Sequence, residues 1–126
     1  MSVLVDSSVW IAYFRGDTGE SDNLDFLIEE NLVFVNHLIL SEIVPPLRFR
    51  RKHALVKLLD EVPRHPMSID WEDLIRMQVA CLRNGINRVG IPDLIIAQHA
   101  VQNELRLFTL DEHFRLIEEH FGLEMF

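Results

Sequence analysis

Two patterns of apolar and polar residues alternate along the chain. Short apolar runs, typical of buried strands, occur at Ser2–Val5, Leu32–Val35 and Arg106–Thr109. Apolar positions with helical spacing predict helices at Ser7–Phe14, Asn23–Glu30, Leu38–Val44, Ala54–Val62, Trp71–Arg83, Ile91–Asn103 and Glu112–His120. Arg64–Ile69 and Leu123–Phe126 are weaker candidates for further strands. Strands that alternate with helices predict an α/β fold, in which helices flank a short, mostly parallel sheet.

Local signals place the ends of several helices. Asp70 is a candidate cap for the helix that begins at Trp71, and Pro92 occupies a favoured first-turn position. Pro45 and Pro46 remove two backbone donors, so we expect the helix that begins at Leu38 to break there. We find no internal repeat or flexible linker, and residues 1–126 are predicted to form a single domain.

Composition narrows the function classes. The net charge is −8, from 12 basic and 20 acidic residues, which argues against a passive nucleic-acid coat protein. The one cysteine, Cys81, excludes an intrachain disulfide and is expected to be a core residue. The first residues lack a basic segment and a cleavage site, and no apolar run is long enough to cross a bilayer. A cytoplasmic protein with no membrane association is therefore expected.

Four acidic residues fall where a parallel α/β sheet places its ligands, beyond the carboxyl ends of the strands. Asp6 follows the first strand, Asp111 follows the strand that ends at Thr109, and Asp93 lies in the first turn of a helix. Glu42 lies on the helix after Val35, at the rim of its apolar face. Two such charges about 4 Å apart repel by about 4 kcal/mol, so a cluster must take up protons or a hard cation such as Mg²⁺ or Mn²⁺.

Each acid also has an ordinary structural explanation. Asp6 and Asp111 could cap the helices that follow them, and the helix dipole favours Asp93 in a first turn. Glu42 could be a solvated helix residue. Spacing alone therefore leaves the function of the four acids open.

The sequence motifs around the acids resemble those of the PIN domain family of nucleases. They occur in the family's order and the resemblance covers nearly the whole chain. VLVDSSVWIAYF is similar to the family's opening segment, with Asp6 and Ser8, and HLILSEIV to the segment that supplies the second acid, Glu42. IPDLIIAQHA is similar to the third segment, with Asp93, and LFTLDEHF to the closing one, with Thr109 and Asp111. Within that family, its motifs most resemble those of the VapC-type toxins of toxin–antitoxin pairs.

The resemblance implies a three-layer sandwich and an endoribonuclease that uses Mg²⁺ or Mn²⁺. Asp6, Glu42, Asp93 and Asp111 would be the catalytic and metal-binding residues, with Ser8 and Thr109 orienting the carboxylates. It also implies an RNA substrate, a homodimer, and an antitoxin that covers the active-site groove. The basic segment Arg48, Arg50, Arg51 and Lys52 could follow an RNA backbone or form a solvated face.

Other classes fit less well. A phosphorelay receiver-like domain, which also binds Mg²⁺, carries an adjacent acidic pair after its first strand, where this chain has Asp6 and Ser7. A catalytically inactive PIN-like interaction module should have lost some of the acids, and here all four positions are occupied. His113 and His120 are about two helical turns apart, too far for one metal ion, and His99 is interpreted as structural.

Overall fold

The computed structural model describes the backbone of residues 1–126 and every side chain except those of residues 18 and 20. Its strands are β1 (Val3–Val5), β2 (Val33–Phe34) and β3 (Arg106–Phe108). Its helices are α1 (Ser7–Phe14), α2 (Thr18–Glu29), α3 (His37–Phe49), α4 (His53–Asp60), α5 (Trp71–Arg83), α6 (Ile91–Gln102), a 3₁₀ helix (Glu112–Leu116) and α7 (Glu118–Phe121).

The strands of the described backbone form one parallel sheet in the order β2–β1–β3. Val3 is paired with Val33 on one side and with Arg106 on the other. All three residues of β1 are fully buried, which explains why the strand is a continuous apolar run. The predicted α/β class and parallel sheet are confirmed, and the carboxyl ends of the strands share one edge.

Helices cover the sheet and share its core. Helix α1 packs against α2 and α3, α3 against α4, α5 against α6, and α6 against β3. Trp10 lies fully inside this core and its Nε1–H donates to the Val5 carbonyl at 3.2 Å, which ties α1 to the end of β1. The predicted core position of Cys81 is confirmed. In the described part of the chain, no helix combines the length and apolar character that crossing a bilayer requires.

The predicted break at the two prolines is wrong, because α3 continues through Pro45 and Pro46 to Phe49. Both prolines are exposed, as are Ser41 and Glu42, whose carbonyls lose the donors that the prolines lack. Since these residues are exposed, water is available to their carbonyls, and the helix tolerates both prolines.

Two further predictions needed correction. Arg64–Ile69 is not a strand, since it makes only one bridge, between Val35 and Arg64; Pro63 and Pro66 on either side have no N–H to extend the ladder. The helix predicted at Glu112–His120 is divided at Ile117 into the 3₁₀ helix and α7. The segment Leu123–Phe126 is extended and bridges β3 at Met125, without forming a named strand.

Candidate active site

Asp6 is a buried carboxylate with no capping role. It occupies the N-cap position of α1, yet its side chain makes no capping hydrogen bond, and the residue is only 4% exposed. Its Oδ2 instead accepts hydrogen bonds from the hydroxyls of Ser8, at 2.9 Å, and Thr109, at 2.8 Å. The ordinary explanation for an acid at this position therefore does not apply to Asp6.

The protons of these two hydroxyls are committed to Asp6. The Leu110 N–H donates to Ser8 Oγ and the Asp111 N–H donates to Thr109 Oγ1, both at 3.0 Å. The two hydroxyls also lie 3.2 Å from each other, but the shorter contact of each leads to Asp6, so we assign the single proton of each to the carboxylate. Both bonds go to Oδ2, and among the described side chains Oδ1 has one donor, the Ser7 hydroxyl, at 3.5 Å.

Asp111 and Asp93 lie together with His113. The Asp111 Oδ1 caps the 3₁₀ helix by accepting the His113 N–H at 2.9 Å. The Asp93 Oδ2 accepts the Gly90 N–H at 3.3 Å, at the start of α6. His113 Nδ1 lies 3.4 Å from Asp111 Oδ1 and 3.9 Å from Asp93 Oδ2. Both acids thus have the structural roles that the sequence allowed, and each still has a carboxylate oxygen outside those bonds.

Glu42 reaches this group from the second turn of α3. The fully buried Asn36 caps that helix, with its Oδ1 accepting the Ile39 N–H at 2.8 Å. The Glu42 residue is exposed at the rim, but desolvation of its carboxyl end raises the pKa of the carboxyl above its ordinary value. The negative charges of Asp6, Asp93 and Asp111 raise this pKa further, so all three carboxylates lie close enough to interact with Glu42.

The pKa of Asp93 is also raised. Burial is the largest cause and the charges of Asp111 and Asp6 add to it, while the Gly90 N–H and His113 act in the opposite direction. Carboxyls whose charged forms are disfavoured by desolvation and by one another are stabilised by a nearby cation.

The donor set fits a hard divalent cation, since all its members offer carboxylate oxygens. Among the described side chains, no three Asp, Glu, His or Cys residues are arranged to hold one metal ion between them. In proteins, Mg²⁺ keeps several of its waters and is usually held by one or two carboxylates rather than by an all-protein cage.

A groove of about 410 Å³ extends from Glu42 along α3. Its floor is mostly apolar, and the cations of Arg15, Arg50 and Lys52 lie along it. Arg48 and Arg51 are exposed on the same segment but do not line the groove. The structure thus brings part of the basic segment and one of the acids to a common surface.

Two features of the site escaped the sequence interpretation. His113 lies beside Asp93 and Asp111, and its only sequence signal was its position two residues after an acid. The other is a buried polar chain: the Asn36 amide donates to His99 Nδ1 at 2.8 Å, and His99 Nε2 faces His65 Nδ1 at 3.2 Å. This chain links the cap of α3 to α6, which carries Asp93, and the structural interpretation of His99 agrees with it.

Comparisons with known proteins identify the family and the fold. Residues 3–119 match the PIN domain family. No curated protein sequence matches the chain. The fold is similar to that of VapBC2 from Rickettsia felis bound to a DNA fragment from their promoter, with a TM-score of 0.80, 16% identity, and 100% of this chain and 98% of that chain covered.

Two other solved structures share the fold. DNA-bound VapBC from Salmonella typhimurium has a TM-score of 0.78 and 16% identity, covering 100% of this chain and 97% of that one. A protein from Pyrobaculum aerophilum has a TM-score of 0.60 and 18% identity, with 90% and 82% covered. At these identities the likeness concerns the fold.

Proposed function

The chain belongs to the PIN domain family, and on that premise we propose that it is a divalent-metal-dependent endoribonuclease, the toxin of a toxin–antitoxin pair. The observation that carries the proposal is Asp6. Burying a charge costs free energy, and Asp6, which is 4% exposed and has no capping role, keeps its Oδ1 outside the bonds from Ser8 and Thr109, as a ligand to a cation would. Its charge acts on Glu42 and Asp93, and with Asp111 these residues form what we call the acidic edge.

Asp6, Glu42, Asp93 and Asp111 would hold the cation, Mg²⁺ or Mn²⁺, directly or through water. When bound, such a cation neutralises phosphate charge and lowers the pKa of water for hydrolysis of a phosphodiester. Ser8 and Thr109 position Asp6 by fixing one of its oxygens and leaving the other available. Asp93 and Asp111 keep a fixed orientation because backbone N–H groups hold one oxygen of each.

The basic residues supply the attraction for RNA phosphates that the acidic edge lacks. RNA must approach four carboxylates that repel its phosphates, and the cations of the segment 48–52 lie next to one of them. We assign the RNA contacts to Arg48, Arg50, Arg51 and Lys52. Arg50 and Lys52 face the groove beside Glu42, whereas Arg48 and Arg51 extend the positive surface beyond it.

The proposal includes two protein partners. The similar structures from Rickettsia felis and Salmonella typhimurium are VapBC proteins, and we propose an antitoxin whose segment occupies the apolar groove next to Glu42. A second copy of the chain completes a homodimer. We propose the cytoplasm as the place where the protein meets its RNA substrate and its antitoxin.

Mn²⁺ binding, measured by titration calorimetry, tests the metal site without knowledge of the substrate. Asp93→Asn should weaken binding about 10-fold or more, because one charged ligand is lost. Glu72→Gln is the matched control, since Glu72 is another first-turn acid, on α5, and it should leave binding unchanged. If the folded wild-type protein binds no Mn²⁺, the proposal fails, and an inactive interaction module becomes the better description.

Cleavage of a structured RNA in the presence of Mn²⁺ tests the reaction itself. The wild-type protein and Glu72→Gln should cut the RNA, and Asp6→Asn and Asp93→Asn should not. If both Asp variants cut the RNA as fast as the wild type, the observed cleavage does not come from the acidic edge. A contaminating nuclease would show that same pattern, so the variants also serve as its control.

A further inference from the structure

Phe49 is an apolar side chain that lies on the surface and not in the core. Among the described side chains it is the most exposed large apolar residue, at 85%. It is the last residue of α3, and on its two sides lie Arg48 and the consecutive cations Arg50, Arg51 and Lys52. An exposed aromatic ring among arginines is the combination with which proteins stack the bases of single-stranded nucleic acids.

The helix places Phe49 on the same side as the acidic edge. Glu42 lies seven residues before Phe49, which is about two helical turns, so both side chains leave nearly the same face of α3. The separation along the helix axis is about 10 Å, within reach of a nucleotide near the bond to be cut. Phe49 does not line the apolar groove.

The surrounding charges suit an anion. No acidic residue occurs between Glu42 and Asp60, although the chain contains 20 acids. Within the described part of the molecule, none of Arg48, Arg50, Arg51 and Lys52 takes part in an ion pair. Exposed cations that no carboxylate neutralises are available for phosphates. The aromatic ring at their centre suits a base rather than a phosphate.

From this juxtaposition we infer that Phe49 stacks on an unpaired base of the RNA while the flanking arginines hold the phosphates on either side of it. A base inside a duplex already has neighbours on both faces and cannot accept the ring, so Phe49 selects unpaired nucleotides beside the cut. The inference rests on the proposed ribonuclease function, because it names the kind of RNA that reaches the acidic edge.

Binding measured in EDTA separates recognition from cleavage. The probes are a fluorescein-labelled oligouridylate and a labelled RNA duplex of the same length, and the readout is fluorescence anisotropy. Phe49→Ala should weaken oligouridylate binding about 5-fold or more, the range that loss of one stacked base gives. Duplex binding should change much less. Phe26→Ala is the matched control, since Phe26 is another exposed phenylalanine, 53% exposed on α2, and it should have no effect.

Phe49→Trp provides a second, spectroscopic readout. A tryptophan that stacks on a base should retain the affinity, and its fluorescence should be quenched by oligouridylate. Trp71 is also exposed, so the measurement is made in a Trp71→Phe background. Unchanged affinity in Phe49→Ala, an equal loss on duplex RNA, or absence of quenching would each overturn the inference.

The two proposals can fail separately. RNA cleavage that needs Asp93 but is indifferent to Phe49 overturns the stacking role and leaves the nuclease standing. Phe49-dependent binding of oligouridylate without cleavage of any RNA leaves the stacking role and overturns the nuclease. A change from dimer to monomer in Phe49→Ala, seen by light scattering with RNA affinity intact, would assign the ring to a protein interface instead.

Discussion

Thr109→Val tests whether the Asp6 carboxylate depends on its hydroxyl partners. Valine has nearly the same shape, so the substitution removes one donor without leaving a cavity. The bond lost is the 2.8 Å contact from Thr109 Oγ1 to Asp6 Oδ2, and a hydrogen bond to a charged group contributes about 1.5–3 kcal/mol. The Asp111 N–H also loses its acceptor. We expect the free energy of unfolding to fall by about 2–3 kcal/mol.

Urea denaturation followed by circular dichroism measures this change, and the melting temperature should fall by about 10 °C for a chain of this size. Thr109→Ser is the control, because it keeps the hydroxyl and loses only a methyl group, at a cost of about 1 kcal/mol or less. Mn²⁺ affinity should fall about 10-fold or more in the valine variant alone. A valine variant as stable as the wild type, with the same Mn²⁺ affinity, would refute the assignment of the hydroxyl proton to Asp6.

Three further substitutions probe the fold. Trp10→Phe removes the buried donor to the Val5 carbonyl and should cost about 1–3 kcal/mol by urea denaturation; no change would contradict the role of that bond. Pro45→Ala restores a backbone donor at an exposed position inside α3 and should stabilise the protein by about 1–2 kcal/mol, whereas lost stability would mean that the proline is required. Burial and the charge of His65 lower the pKa of His99 below 6.5, so the neutral form is favoured in the folded state. The contribution of neutral His99 to the free energy of unfolding is therefore fully present above pH 6.5 and is lost as the pH falls below it, by at most about 1.4 kcal/mol per pH unit. His99→Gln should abolish that part of the pH dependence. Equal slopes of unfolding free energy against pH in the variant and the wild type would contradict this.

The strongest local signals predicted the fold correctly. The apolar run at β1 and the acid that follows it depend on neighbouring residues only, and so does the Asp70 cap, whose side chain accepts the Asp73 N–H at 3.0 Å. A parallel sheet then brings the ends of β1 and β3 to one edge whatever the loops between them do. The positions of Asp6 and Asp111 beyond that edge could therefore be predicted.

Features that depend on solvent or on distant residues could not be predicted. The proline rule fails at Pro45 because it ignores whether the freed carbonyls face water. The Asn36–His99 bond joins residues 63 positions apart, and no local pattern in the sequence indicates it. The same is true of the contact between His113 and Asp93, which depends on how the segment after β3 turns back towards α6.

The two hydroxyl bonds to Asp6 also form at different times during translation. Asp6 and Thr109 are 103 positions apart in sequence, and β1 lacks one of its two neighbours until β3 has been made. At about 5–20 residues per second, a ribosome needs about 5–20 s to pass from one to the other. Throughout that interval Asp6 has Ser8 as a hydroxyl partner but lacks Thr109, so the arrangement that positions this acid is completed only near the end of translation.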